Sequence, residues 1–166
     1  MGTTRIAVPL LLMCTLAACG TDPLGSSAVD RGVETDSTSY HVLTTDSWHE
    51  VTIGVSFRNP TFNEVQIPTC HGPYPPVLEK LGRNGWVTAY SPVVLLCLGP
   101  PVRIAPGAAY SMTYRVIGAR LPNSFPRFEV DEIAGTYRLN WHALRTESGS
   151  RLPSADRTSS PFQLLE

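Results

Sequence analysis

Beyond residue 40, several stretches place apolar side chains at every second position. In "EVTIGVSFRN", Val51, Ile53, Val55 and Phe57 alternate with Thr52, Gly54, Ser56 and Arg58, the period-two pattern of a strand with one face on a core and the other in water. "AYSMTYRV" repeats it, with Tyr110, Met112, Tyr114 and Val116 sharing a face. So does "GTYRLNWHAL", which sets Tyr137, Leu139, Trp141 and Ala143 against Thr136, Arg138, Asn140 and His142. "VLEKLGRNGWVTAY" predicts a hairpin, with Asn84 and Gly85 as the two positive-φ residues of a type I′ turn. "PFQLLE" predicts a short closing strand.

The strands follow one another at intervals of about ten residues and are cut by "RNP", "APGAA" and "RLPNSFP". Fifteen prolines reinforce that punctuation, because proline is excluded from helix interiors and central ladders and collects in turns and edges. No window carries a sustained helical apolar stripe. The pattern predicts an all-β protein, an antiparallel β-sandwich of about seven to nine strands.

At "EIAGTYRL" the chain resembles a known family. Gly135-Thr136-Tyr137 is similar to the entry to strand F of immunoglobulin-like domains, where a tyrosine forms a corner by hydrogen-bonding back to the chain. Antibody domains carry a cysteine two residues after that tyrosine; here the position is Leu139, so their inter-sheet disulfide is missing. The wider succession is "FRNP", a hairpin bearing "GW", the turn "IAPGAAY", "GTYRLNW" and a terminal "SSPF". It resembles small immunoglobulin-like bacterial lipoproteins and, less closely, the BsuPI type of proteinase inhibitor, over about Tyr40 to Leu165. The resemblance implies an immunoglobulin-like sandwich over 40–166 and carries no catalytic residue across.

The first residues read differently. One positive charge, Arg5, precedes an apolar run from Ile6 to Ala18, shorter than the roughly 20 residues a membrane-spanning helix needs. That is the build of an export signal. Its end, Leu16-Ala17-Ala18-Cys19, resembles the lipobox of bacterial lipoproteins, in which cleavage precedes a cysteine that is then acylated. The expectation is a signal peptide over 1–18 and a lipid, such as palmitate, on Cys19. Gly20 in the next position is compatible with the outer membrane of a Gram-negative envelope. Residues 19–39, rich in Gly, Ser, Thr and Asp, then read as a flexible tether with a typical span of roughly 25 Å. Loss of Arg5 leaves 12 basic against 14 acidic residues, a formal charge of −2, and nothing there points to nucleic acid as a partner.

Of four cysteines, Cys14 leaves with the leader and Cys19 is assigned to lipid. An exported domain with one remaining pair, Cys70 and Cys97, most simply oxidises it to a disulfide. The bridge would restrict the unfolded chain by roughly 3–4 kcal/mol. The rival is a copper site of the cupredoxin kind, but no histidine follows Cys97 until His142, and neighbours such as Cys70 and His71 on an extended strand point to opposite faces. His41, His49 and His142 show no ligand spacing. No metal and no cofactor is expected.

Catalytic motifs are equally scarce. The chain lacks a G-x-S-x-G elbow, an H-E-x-x-H pair and a phosphate-cradling glycine loop. "WHE" at 48–50 reads as a strand start with an exposed His49, and Asp131-Glu132 as a solvated turn. "HGPYPP" reads as a stiff exposed loop, so His71 and Tyr74, with the loop after Cys97, form the candidate binding surface. The expected function is a lipid-anchored, non-enzymatic cell-envelope protein whose domain contacts another envelope protein. The alternative is an exported proteinase inhibitor.

Overall fold

The computed structural model describes residues 32–95, 99–121 and 123–166. Signal peptide, Cys19 and Cys97 therefore lie outside the described residues. Two long strands carry the pattern read from the sequence, β4 (Trp48–Arg58) and β9 (Ala109–Ala119). They pair antiparallel in unbroken register from Trp48–Ala119 to Arg58–Ala109. Their inner faces bury Val51, Ile53, Val55 and Phe57 of β4 and Tyr114 and Val116 of β9. The far side of β4 is covered in two short pieces, β1 (Val33–Thr35) at one end and β3 (Leu43–Thr44) at the other.

A second sheet runs in the order β2 (Ser39–His41), β12 (Phe162–Leu165), β10 (Gly135–Asn140), β6 (Val77–Gly82), β7 (Gly85–Tyr90). Its β2–β12 pair is parallel, while its other pairs are antiparallel. A third sheet joins β11 (Arg145–Thr146), β5 (Val65–Thr69) and β8 (Gly99–Ile104). The sheets enclose one core, to which Ile67, Leu78, Tyr137, Leu139, Trp141, Phe162 and Leu164 contribute fully buried side chains. The chain is thus the expected all-β sandwich. The twelve strand segments among the described residues exceed the expected number because β1, β2, β3 and β11 are pieces of two or three residues. A four-residue helix, α1 (Ser154–Arg157), links the last strands.

The corner tyrosine behaves as its motif implies: the Tyr137 hydroxyl donates to the Ile133 carbonyl at 2.7 Å. Two expectations shift. The folded domain starts before residue 40, since Val33 is fully buried against Phe57 and Asp36 acts as a substitute strand partner. Its amide donates to the Gly54 carbonyl at 3.0 Å, and its Oδ1 accepts the Gly54 amide at 3.0 Å and the Tyr40 hydroxyl at 2.5 Å. A side chain at 54 would collide with that carboxylate. Burial, with the Asp36 bond, pushes the Tyr40 hydroxyl up to about 12. The hairpin also turns one residue earlier than expected. Gly82 pairs with Gly85, leaving Arg83 and Asn84 as the central residues, and only Gly85 takes a positive φ, at 111°. The positive φ after a two-residue turn belongs to a turn-plus-bulge connection, not to type I′.

Candidate functional site

β5 ends at Thr69, and the chain reverses at once. The Cys70 amide donates to the Gly72 carbonyl at 2.9 Å, Thr69 bridges Pro73, and the Tyr74 amide reaches back to the Pro68 carbonyl at 3.0 Å. The reversal places exposed His71 at its tip with φ 55°, in the left-handed region that non-glycine residues seldom occupy. Neighbouring strand residues would have pointed apart. This loop is not a strand, and Cys70 and His71 both line one cleft.

Tyr74 locks that cleft to the core and to the facing loop. Its carbonyl accepts the indole N–H of fully buried Trp141 at 2.7 Å. Its hydroxyl donates to the Leu95 carbonyl at 3.0 Å. His71, Pro73, Tyr74 and Pro75 therefore face Val93, Val94 and Leu95 across a shallow cleft of about 170 Å³. Val93 and Leu95 are 63% and 58% exposed, apolar side chains held outward by a hydrogen-bonded frame. The cleft continues into a groove of about 570 Å³ over Pro92, Tyr90 and the inner edge of β9. Tyr114 lines this groove; its buried hydroxyl has no hydrogen-bond partner among the described residues, and burial holds it far above its ordinary pKa.

The Cys70 sulfur is disulfide-bonded and does not titrate; the partner sulfur falls outside the described residues, with Cys97. Among the described residues, no three His, Cys, Asp or Glu side chains gather within reach of one ion.

A second cleft was missed in the sequence. His49 is half-buried, not exposed: its Nδ1 lies 2.9 Å from the Thr44 hydroxyl and its ring meets Phe128 edge-on. Burial first, and Arg120 second, hold the imidazole below its ordinary pKa. Two adjoining hollows of about 620 and 400 Å³ share His49, Arg120, Asp131 and Ile133. Arg120 is fixed by its bond to the Thr45 carbonyl at 2.6 Å. Asp131 remains exposed, as its turn reading expects, but it lies on this rim. No local motif signals the cleft, because its members come from distant parts of the chain.

His142 joins a polar cluster on the outer face of the second sheet. Arg157 bonds both the Asn140 side chain and the His142 Nδ1, while Glu79 accepts from Arg138 at 2.6 Å and Asn140 at 2.8 Å. Burial and then the Arg157 charge hold the His142 imidazole low. His41 stands apart, exposed at the end of β2.

Against known proteins, no family model matches the chain, and no curated protein matches it. Among solved structures it is similar to the X-ray structure of Northeast Structural Genomics Consortium target SoR45, at 14% identity and TM-score 0.42, over 81% of this chain and 83% of that one. It is also similar to a stretch of the β-glucosidase from Kluyveromyces marxianus, solved in complex with glucose, at 15% identity and TM-score 0.26. That match covers 81% of this chain and 14% of the enzyme. No helix among the described residues is long and apolar enough to cross a membrane.

Proposed function

We propose that this chain is a lipid-anchored, non-enzymatic protein of the bacterial cell envelope, whose immunoglobulin-like domain contacts a partner protein through the His71–Pro75 and Val93–Leu95 loops. The observation that carries this reading is the frame around Tyr74. Trp141 and Leu95 fix the two loops while Val93 and Leu95 stay exposed. A surface already ordered before binding loses less entropy on association than a mobile one. Apolar contacts on loops of a rigid scaffold are where recognition concentrates. The lipid on Cys19 and the export signal rest on the leader, and the outer membrane is the destination if the envelope is Gram-negative.

The partner sulfur of Cys70 is, on this reading, Cys97. Peptide mapping without reduction should recover the two cysteines linked. Fatty-acid labelling should mark the wild-type chain and vanish in Cys19→Ala; equal labelling of both would remove the anchor. A photocrosslinker at Val93 should capture one discrete envelope protein in living cells, and Tyr74→Phe should weaken that capture. Indifference to position, with equal capture from exposed Arg83 on the distant hairpin, would end the reading.

One feature favours the alternative, an exported proteinase inhibitor. His71 sits at positive φ on an exposed tip stiffened by Pro73 and Pro75, the kind of rigid loop that can occupy an active site without being ordered on binding. Incubation with a panel of envelope proteinases decides it: no inhibition at micromolar chain leaves only the binding module.

A further inference from the structure

Sheet edges offer unpaired backbone groups to any passing strand, so proteins shorten, bend, cover or proline-block them. Most edges of this fold are treated in that way. β1, β2, β3 and β11 have only two or three residues, β8 carries Pro100 and Pro101, and β7 is bridged by Phe128 beside Tyr90. β9 is the exception. It has eleven residues, no proline, no lysine and no register shift against β4.

The direction of its backbone follows from its partner. Gly54 turns its N–H and C=O toward Asp36, away from β9, so Thr113 opposite it also turns outward, with Ser111, Arg115, Ile117 and Ala119. The upper part of that edge is closed: Tyr90 donates to the Ile117 carbonyl and the Ala119 amide donates to Pro126. Ser111, Thr113 and Arg115 remain, and no strand pairs with them on this side among the described residues.

We infer that β9 pairs antiparallel with β9 of a second copy of this chain, with Thr113 on the two-fold axis. Thr113 then faces itself and Ser111 faces Arg115, so three N–H and three C=O groups from each copy satisfy one another. Isologous pairing of this kind closes after two copies. The charges are compatible: Glu50 already holds Arg115 through contacts of 2.5 and 2.8 Å, and Arg115 meets the partner's neutral Ser111 instead of a like charge. A Thr–Thr pair at the axis is a favourable cross-strand combination. On the inner face Met112 comes opposite the second copy's Tyr114, extending the apolar lining of the groove across the seam. Thr113 and Arg115 line the same groove as Pro73, Pro75 and Val93, so the seam runs beside the proposed partner surface and the two readings are told apart by separate readouts, dimer trapping for one and Val93 capture for the other.

The test is disulfide trapping in the full-length chain in its own membrane. Directly opposed residues of a hydrogen-bonded antiparallel pair have Cα atoms about 5.5 Å apart, within disulfide reach. Thr113→Cys should give about tenfold more linked dimer than Thr52→Cys, which lies one strand inward. Co-expressed Ser111→Cys and Arg115→Cys chains should link to each other. A third variant, Thr113→Pro, removes one outward N–H without touching the β4 ladder. Introduced into chains trapped at positions 111 and 115, it should abolish their linkage while protease resistance is kept. Thr113→Cys that stays monomeric, or links no better than Thr52→Cys, overturns the pairing. So does trapping of Thr113→Cys to a different protein, which would give the edge to a foreign strand. Loss of dimer with Val93 capture intact removes only this inference.

Discussion

Asn59 is the best example of a single side chain holding two parts of the fold in place. It is buried, its amide nitrogen donates to the Asn63 and Ile104 carbonyls at 2.8 and 2.9 Å, and its oxygen accepts the Thr61 amide and hydroxyl. Deleting it strands the buried Ile104 carbonyl and releases the loop after β4. Asn59→Ala should therefore cost about 2–3 kcal/mol, read as a lowered urea midpoint with unchanged slope; a loss below about 1 kcal/mol would mean the loop is held elsewhere. His71 poses the converse problem, because its left-handed backbone suits few residues. His71→Asn should be neutral, whereas β-branched His71→Val should cost about 1–2 kcal/mol in the same measurement.

Among the elements, Trp141 links a strand to a loop. It follows β10 into the core and its indole N–H carries the Tyr74 carbonyl. Trp141→Phe should keep the fold yet raise amide exchange in residues 70–76 well above that in β4; uniform exchange would show that the indole holds nothing local. The long elements were legible in the sequence because each repeats its apolar spacing over several residues: β4, β9 and β10 keep the expected inner faces. β1, β2, β3 and β11 were not, since two or three residues carry no period and exist as strands only through their partners. Asp36 shows the same limit, reading as tether composition until Gly54 is brought beside it. The stiff, exposed loop that carries His71 and Tyr74 was legible from its prolines. The His49 cleft was not, because Arg120 and Asp131 reach it only through tertiary packing.

At the scale of the whole molecule, two histidines make stability depend on pH. His49 and His142 are both held below their ordinary pKa by burial first and by a neighbouring arginine second. The unfolded chain therefore takes up protons before the folded one does. Stability is full above the unfolded histidine value of about 6.5, falls as pH drops from there to the lower folded values, and levels off for these groups below them. Melting temperature should decline between pH 7 and 5, and His49→Gln with His142→Gln should flatten that decline; an unchanged slope would assign it to carboxylates. The parallel seating of β12 between β2 and β10 has a consequence in time. β12 supplies buried Phe162 and Leu164 and, among the described residues, the ladder partner of β2, so a chain emerging from its N-terminus cannot close the second sheet until residues 162–165 have been made. A chain stopped after Ser160 should stay as protease-sensitive as an unfolded one.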